Sequence, residues 1–252
     1  MDPVSAKYIG AGLAAIGMGI AAIGVLALME GMTVRRPLAD AAGRRWYTDP
    51  LFLGHYPTSV LEELGGDAPV IHPGDMELIS TPIDYLGVNY YSRQVISAQG
   101  PVDTKTSGLP LTEMGWEIYA QGLTDLLMLL HQDYKLPAVL ITENGGAFKD
   151  PVTNGRVHDA DRTDYLRTHI AAMADAMDQG VPMAGYMVWS LMDNFEWASG
   201  YAKRFGIVHV DYATQKRSLK DSALWYQRFL HKRQLPVARP VEAVELAQAE
   251  RG

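Results

Sequence analysis

The sequence contains no cysteine, and its 22 Lys and Arg residues form no basic run longer than a pair such as Arg35-Arg36. The absence of cysteine excludes disulfide bonds, thiolate metal sites and a cysteine nucleophile, but it does not select a cellular compartment. The seven histidines show no metal-ligand spacing such as H-x-x-x-H, so we predict no metal site. With no basic tract and a formal net charge of -7, nucleic acid is not an expected partner.

What the sequence does contain is enough apolar material for a sizeable core. Of its 252 residues, 48% are hydrophobic and 20% are charged, a balance typical of one globular domain or two small ones. A disordered chain is therefore excluded, and a small neutral molecule is a more suitable ligand than a polyanion.

The first thirty residues differ from the rest of the chain. Residues 8–29, YIGAGLAAIGMGIAAIGVLALM, carry no charge, and 22 residues are about the length that crosses a bilayer. Glycines recur there every seven residues, which places a glycine stripe on one helix face and favours close packing of helices. Residues 1–27 resemble the first helix of the proteolipid c subunit of rotary ATP synthases.

We therefore expect residues 1–32 to form an apolar leader helix of the membrane type, with a membrane as partner of residues 8–29. An Ala/Gly-rich leader without regular structure and a signal peptide are the alternatives. A cytoplasmic location is expected if the leader is not a membrane helix.

Beyond the leader, short apolar runs rich in β-branched and aromatic residues predict buried strands over residues 84–91, 138–142 and 184–191. Apolar residues at helical spacing predict helices over residues 115–134, 161–179 and 219–232. A strand pair is predicted around residues 205–212. Strands that alternate with long helices indicate βα units and a parallel sheet.

Polar and aromatic residues follow each predicted strand, in the stretches NYYS (89–92), TENG (142–145) and WSLMDNFEW (189–197). In a parallel βα barrel, loops from different strands converge at the carboxyl ends of the strands and carry the chemistry. Carboxylates and amides bind sugar hydroxyls, and tryptophan faces pack on the C–H side of a pyranose ring. The three stretches together therefore predict a sugar site.

These stretches resemble the retaining β-glycosidases of glycoside hydrolase family 1, the β-glucosidase family. The similarity runs from RRWYTDPLFLGHYP at Arg44 to LKDSALWYQRFL near Leu230, and covers most of the chain. Between these ends lie IDYLGVNYYS, GWEIYAQGL, ITENG and VWSLMDNFEWASGYAKRFGIVHVDY. The longest motif is the most specific, because no general strand-to-loop pattern requires its order of polar and aromatic residues.

The resemblance implies that Glu143 is the catalytic nucleophile, which attacks the anomeric carbon and forms a glycosyl-enzyme intermediate. It implies that Tyr91 hydrogen-bonds this carboxylate. The family's fold is a (β/α)8 barrel, and neither a metal nor an organic cofactor is implied.

The resemblance also implies five substrate-binding residues. Asn89 lines the sugar site, Glu196 accepts hydrogen bonds from sugar hydroxyls, and Trp197 donates one from its indole. Trp189 forms the stacking floor and Phe205 closes the apolar rim.

Taken singly, these residues have ordinary structural explanations: a solvated turn for Glu143, a strand position for Asn89 or Tyr91, core packing for Trp189 or Phe205, and an ion pair with Lys203 or Arg204 for Glu196. The spacing of the whole set favours the site.

A retaining glycosidase needs a second carboxyl group about 5 to 5.5 Å from the first, to protonate the leaving oxygen. In the family this acid/base lies in a T-x-N-E-P motif after the fourth strand, and the sequence contains no Asn-Glu-Pro. We therefore expect residues 33–252 to form an α/β fold that is a partial (β/α)8 TIM barrel, comprising strands six to eight with their helices. The open sheet would have unpaired edges, so we expect a homo-oligomer; a rearranged small sheet covered by the leader is the alternative.

Two functions are compatible with these features. The first is a retaining β-glycosidase of the β-glucosidase type that acts on small glycosides through Glu143, slowed by the missing acid/base. The second is an inactive sugar-binding or structural fragment, tethered to a membrane by the leader. The missing second carboxylate is the feature that separates them.

Overall fold

A computed structural model describes residues 40–97 and 100–232. The leader helix expected over residues 1–32, and with it the membrane contact of residues 8–29, lies outside the described residues. Within the described part, no helix combines the length and the apolar character needed to cross a membrane.

The described chain begins with a helical turn at Ala41–Arg45, which continues into α1 (Trp46–Leu53), α2 (Thr58–Leu64) and α3 (Asp75–Ile79). Then follow β1 (Tyr85–Tyr90), the hairpin strands β2 (Val95–Ser97) and β3 (Gly100–Val102), α4 (Gln121–Asp133), β4 (Ala138–Asn144) and a second hairpin of β5 (Val152–Thr153) and β6 (Arg156–Val157). The chain continues through α5 (Ala160–Asp178), β7 (Met183–Val188), a third hairpin of β8 (Val208–Val210) and β9 (Arg217–Leu219), and α6 (Asp221–Lys232).

Three parallel strands form the central sheet in the order β1-β4-β7, so β4 is the middle strand. Its residues Val139 and Ile141 are fully buried. A strand that is covered on both faces reads as a nearly continuous apolar run, as β4 does from Ala138 to Ile141. The helices α4 and α5 lie between successive strands in the chain, as parallel pairing requires.

The main core lies between this sheet and the helices α4 and α5. Leu123, Leu127 and Leu130 recur at helical spacing along α4, are at most 1% exposed, and belong to one cluster with the sheet residues Val88 and Ile141. Burial of a leucine contributes about 1.5 to 3 kcal/mol, so this seam is a main source of the fold's stability. A smaller cluster joins α5 and α6 beneath the loops that follow β4 and β7.

The predicted parallel α/β arrangement is confirmed. Each of the three predicted strands is present with shifts of at most three residues at its ends, and so are the helices predicted over residues 161–179 and 219–232. The strand pair expected around residues 205–212 is present in part, because β8 lies in that range but pairs with β9, outside it.

The helix predicted to begin at Gly115 begins at Gln121 instead. Residues 110–118 form a tight turn in which the N–H of Thr112 donates to the carbonyl of Trp116 and the N–H of Ile118 donates to Pro110. Gly115 has a φ of +75°, which a glycine adopts readily and a helix does not allow. The spacing of Tyr119 therefore matched the helical pattern by coincidence.

Candidate active site

The ends of β1, β4 and β7 bring predicted site residues together at the carboxyl edge of the sheet. Asn89 on β1 lies directly beside Glu143 on β4, and a β-bulge at this point inserts one extra residue into β4. On the other side, Asn144 pairs with Val188, the residue before Trp189. Bulges near sites redirect side chains, and here the bulge follows the last fully buried apolar residue of β4, Ile141.

Glu143 accepts a hydrogen bond from the hydroxyl of Tyr91, at 2.6 Å between the two oxygens. Burial, together with this hydrogen bond and the nearby carboxylate charge, raises the pKa of Tyr91 well above its usual value. Loss of the phenolic proton is therefore disfavoured, which keeps the hydroxyl as the donor of this hydrogen bond. Such a donor fixes one oxygen of Glu143 and leaves the other for a reaction partner.

Asn89 and Thr142 form a second polar contact at this edge. The hydroxyl of Thr142 donates to the side-chain oxygen of Asn89 at 2.6 Å. Asn89 is 1% exposed, and this bond to its side-chain oxygen holds the amide in one orientation.

Asn144 fastens the three strand ends to one another. Its amide nitrogen donates to the carbonyl of Tyr90 on β1 at 2.6 Å, and its amide oxygen accepts from the hydroxyl of Tyr186 on β7 at 2.5 Å. The backbone carbonyl of Asn144 accepts from the N–H of Trp189 at 2.9 Å. The residue next to the nucleophile candidate is therefore fully buried and bonded to both neighbouring strands.

Gly145 is required by the close approach of the loop after β7. A Cβ at this position would lie 1.7 Å from the carbonyl oxygen of Trp189. Any side chain there would push Trp189 away from Glu143, which explains the Asn-Gly-Gly turn that follows the acid.

Three aromatic rings form a wall beside Glu143. Tyr91 meets Trp116 edge-on at 5.5 Å between ring centroids and Phe205 at 6.3 Å, and Trp116 lies 6.1 Å from Phe205. Phe205 is 1% exposed, so it supports the wall from the interior. Trp116 is half-buried and offers apolar surface next to the carboxylate.

The loop after β7 carries Trp189, Glu196 and Trp197. Glu196 is half-buried and accepts a hydrogen bond from the side chain of Asn194 at 3.1 Å. Lys203 and Arg204, which the sequence offers as ion-pair partners of Glu196, bond other residues. Lys203 donates to the backbone carbonyl of Glu113, and Arg204 pairs with Asp193. Trp189 is half-buried, whereas Trp197 is 79% exposed.

Three residues of the arrangement were not predicted, namely Trp116, Asn144 and Tyr165. The hydroxyl of Tyr165 donates to the carbonyl of Tyr91 at 3.1 Å and accepts from Asn144 at 3.2 Å. Trp116 and Asn144 lie inside GWEIYAQGL and ITENG, two of the motifs that carry the resemblance to the family. Nothing in the sequence around Tyr165 separates it from other apolar positions of a helix.

Two other carboxylates near this edge, those of Glu117 and Glu113, have cationic side chains as neighbours. Glu117 is fully buried and bonds Arg93 at 2.5 and 3.2 Å, and Glu113 lies 3.9 Å from both Lys149 and Lys203. Within residues 40–97 and 100–232, no group of three or more His, Asp or Glu side chains is arranged to hold a metal ion.

Residues 38–235 match the model of glycosyl hydrolase family 1. The chain is 48% identical over 185 residues to β-glucosidase A of Thermotoga maritima, covering 71% of this chain and 42% of that protein. It is 42% identical over 193 residues to a β-glucosidase of Agrobacterium sp., with 71% and 41% covered. The chain thus spans about two fifths of the length of these curated relatives.

Solved structures give the same result for the fold. The β-glucosidase from Thermotoga maritima in complex with glucoimidazole superposes with a TM-score of 0.72 at 45% sequence identity, over 76% of this chain and 44% of that one. The same enzyme in complex with deoxynojirimycin gives a TM-score of 0.72. The described α/β fold, with its sheet of β1, β4 and β7, therefore corresponds to part of a family barrel. The chain belongs to glycosyl hydrolase family 1.

Proposed function

We propose that this chain is the nucleophile-bearing part of a retaining β-glucosidase, with Glu143 as the nucleophile. The observation that carries the proposal is the 2.6 Å hydrogen bond from Tyr91 to a half-buried glutamate at the carboxyl edge of a parallel sheet. Asn89 pairs with that glutamate on the neighbouring strand β1, and Trp189 directly follows the end of β7 on the other side. The related proteins of Thermotoga maritima and Agrobacterium sp. are β-glucosidases by name.

In the proposed reaction, the free oxygen of Glu143 forms a bond to the anomeric carbon while the bond from that carbon to the leaving oxygen breaks. The product of this step is a glycosyl ester on Glu143 and a leaving group that takes its proton from water. Water then attacks the same carbon, the ester bond breaks, Glu143 returns as a carboxylate, and the proton that the attacking water loses passes to the solvent. Tyr91 donates throughout and keeps the attacking carboxylate in one orientation.

The substrate would be held by the residues around this carboxylate. Asn89 and Glu196 would bind sugar hydroxyls, Trp189 would form the stacking floor, and Trp197 would donate from its indole. Phe205 would support the apolar rim through Tyr91 and Trp116, since its ring is buried behind them.

The acid/base is the missing part of the proposed machinery, because the 252 residues contain no Asn-Glu-Pro. General acid catalysis is typically worth about 10²- to 10⁴-fold. Loss of it should suppress reactions with poor leaving groups far more than reactions with good ones. We therefore propose weak activity of this chain on aryl glucosides with acidic leaving groups, and little on cellobiose.

The test is hydrolysis of 2,4-dinitrophenyl β-glucoside by the purified chain, by Glu143→Gln and by a control, Glu113→Gln. Glu113 is a partly exposed carboxylate whose only charged neighbours within 4 Å in the described part are Lys149 and Lys203. We expect turnover in the chain and in the control, and none in Glu143→Gln. Turnover that survives in Glu143→Gln would refute the assignment of the nucleophile.

The alternative is an inactive fragment that binds sugars. Its signature would be deoxynojirimycin binding by the chain without turnover of the dinitrophenyl glucoside. Activity on cellobiose as strong as on the aryl glucoside would contradict the missing-acid argument instead.

We also propose that the chain self-associates. In the described residues β1 and β7 each pair with β4 alone, so each leaves one edge without a strand partner. Tyr85 on β1 and Met187 on β7 are 60% and 51% exposed. Sedimentation across a hundredfold range of concentration should show a dimer; a monomer at the highest concentration would refute this proposal.

For the leader, we propose that residues 1–32 are separate from the barrel part, 33–252, and that residues 8–29 form a membrane helix similar to the first helix of a proteolipid c subunit. The uncharged stretch of 22 residues supports this. The full chain should then partition into detergent, and a version lacking residues 1–32 should stay in the aqueous phase. Equal partition of both would contradict it.

A further inference from the structure

Six charged side chains are buried beneath the loops that follow β4 and β7. We call them the Lys220 cluster: Asp150, Asp159, Arg162, Asp193, Arg204 and Lys220. Five of them are at most 1% exposed at the side chain, and Arg204 is 24% exposed. Three carboxylates and three cations balance one another, so the cluster is neutral as a whole.

Lys220 joins two loops that carry different parts of the candidate site. Its ammonium nitrogen lies 2.6 Å from a carboxylate oxygen of Asp150 and 2.7 Å from one of Asp193. Asp150 lies in the loop that follows Glu143, and Asp193 lies between Trp189 and Glu196. The backbone N–H of Lys220 donates to Ile207, which keeps the residue against the second loop.

The carboxylate of Asp193 connects the loop from Trp189 to Phe205 to the residues around it. Its two oxygens accept from the ammonium of Lys220, from the guanidinium of Arg204 and from the backbone N–H groups of Gly206 and Val210. A Cβ on Gly206 would lie 2.1 Å from the backbone nitrogen of Asp193, so the chain just after the loop packs closely against Asp193. Burial opposes ionisation of Asp193, but the hydrogen bonds and charge of Lys220, with Arg204, outweigh it and lower its pKa.

Glu196 receives its position from this loop. The hydroxyl of Ser190 donates to the side-chain oxygen of Asn194, and the side-chain nitrogen of Asn194 donates to Glu196. Ser190 is itself bonded through its backbone to Phe205 and Ile207. A loosened Asp193 would release Ser190, Asn194 and then Glu196, although none of these residues contacts Lys220.

Stability alone does not account for such a cluster. Apolar residues of similar volume often replace buried ion pairs at no cost or with a gain in stability, whereas loss of one partner leaves an uncompensated charge. In some proteins buried charges instead select one arrangement among several. We propose that Lys220 is a positioning residue that, through Asp193, holds the loop from Trp189 to Phe205 in the arrangement that binds a sugar. This inference rests on the proposed function in one respect, that the ligand is a sugar.

The test compares Lys220→Met with Arg44→Met, its matched control. Arg44 is also buried, at 3% exposure, and bonds two carboxylates, Asp40 and Asp133, but it lies near the opposite end of the sheet. Lys220→Met leaves each carboxylate one cation, since Asp150 keeps Arg162 and Asp193 keeps Arg204. Asp193→Asn, of the same shape, replaces Lys220→Met if the latter does not fold.

The first readout is hydrogen exchange of the unliganded full chain, resolved by peptide. The amides of Ser190, Asp193, Ile207 and Val208 are bonded within or next to the loop and report on it. We expect their exchange to accelerate at least about tenfold in Lys220→Met and to stay unchanged in Arg44→Met. Unchanged exchange in a folded Lys220→Met would overturn the proposal.

The second readout is the dissociation constant for deoxynojirimycin, measured where circular dichroism shows all variants to be folded. We expect it to rise about tenfold or more in Lys220→Met and to stay within about twofold of the parent in Arg44→Met, whatever each does to the melting temperature. If deoxynojirimycin binding weakened equally in both variants, Lys220 would act only as a general stabilising residue, and the proposal would be overturned. If the parent chain does not bind the imino sugar, the proposed function fails, and the exchange data still decide the positioning role.

Discussion

The two ends of β4 are surrounded by polar clusters of similar composition that serve different parts of the molecule. Near its amino end, Tyr134 donates to the buried carboxylate of Asp49 at 2.5 Å, and Arg44 bonds Asp133 at 2.5 Å, so helix α1 is fastened to the end of α4. Near its carboxyl end, Asn144 and the Lys220 cluster hold strand ends and loops that carry candidate site residues. Both ends contain buried, paired charges, so the presence of such pairs does not by itself mark a site.

The polar clusters at the two ends of β4 differ in the kind of element that they hold in place. Near the amino end the bonded partners are two helices, whose geometry the apolar core already fixes. At the carboxyl end the partners are loops, which have no core of comparable size and depend on polar contacts for a unique arrangement. We therefore expect changes to the buried pairs near the amino end to alter stability alone, and changes to the buried pairs at the carboxyl end to alter stability and ligand binding together.

The largest effect is expected for Asn144→Asp. Asn144 is fully buried and its nitrogen donates to Tyr90 and Tyr165, so a carboxylate there would face two oxygens with no donor of its own. We expect a loss of about 3 to 5 kcal/mol in the free energy of unfolding at pH 7, measured with urea.

The loss in Asn144→Asp should depend on pH in a defined direction. Burial raises the folded-state pKa of an introduced carboxyl above its unfolded value, so the folded state binds the proton more tightly. The difference from the parent chain should therefore shrink as pH falls from 7 to 5. A difference that grows over this range would contradict the buried position of the side chain.

The next effect is the pH dependence of stability due to His169. Its ring stacks on Tyr165 at 3.8 Å between centroids, and burial lowers its pKa to about 4 from the ordinary 6.5. The unfolded chain then binds a proton below pH 6.5 that the folded chain does not bind until about pH 4. The stabilisation is complete above pH 6.5 and is lost as pH falls, by about 3 kcal/mol in all.

A His169→Asn variant removes this titration and keeps a donor near the position of the bonded ring nitrogen, which contacts the carbonyl of Tyr165. Its unfolding free energy should change less between pH 6.5 and pH 4 than that of the parent. Identical slopes for the two proteins would show that the pKa of His169 is the same in the folded and the unfolded chain, and would contradict its lowering by burial.

A smaller effect is expected near the amino end for Tyr134→Phe. The variant removes the donor to Asp49 but leaves Arg45 paired with that carboxylate at 2.9 Å. Leaving a buried acceptor without one partner costs about 1 to 3 kcal/mol, and the remaining ion pair favours the lower part of that range. Deoxynojirimycin binding should be unchanged. Weaker binding in this variant would break the distinction between the two ends.

The same distinction explains what sequence could and could not predict. The strands and the position of Glu143 follow from local patterns, an apolar β-branched run and the turn that ends it. Lys220 stands in the stretch LKDSALW, which reads as the solvated start of a helix, yet it is buried and bonds Asp150 and Asp193, which lie 70 and 27 residues away. Long-range pairs of this kind leave no periodicity in the sequence, and the same holds for Tyr165 and Asn144.

The smallest effect on stability is expected for Tyr91→Phe, the change that separates function from folding most sharply. Tyr91 is half-buried and Glu143 is partly exposed, so water can replace the lost donor and the unfolding free energy should change by no more than about 0.5 kcal/mol. The phenyl ring keeps its contacts with Trp116 and Phe205.

Activity should respond differently to Tyr91→Phe, because a hydrogen bond to a charged group is worth about 1.5 to 3 kcal/mol when its direction matters. We expect kcat/KM for 2,4-dinitrophenyl β-glucoside to fall about tenfold or more in a protein as stable as the parent. Tyr134→Phe serves as the opposite case, with lower stability and unchanged kcat/KM. If both tyrosine variants lost activity in proportion to stability, the carboxyl end of β4 would have no chemical role beyond that of its amino end.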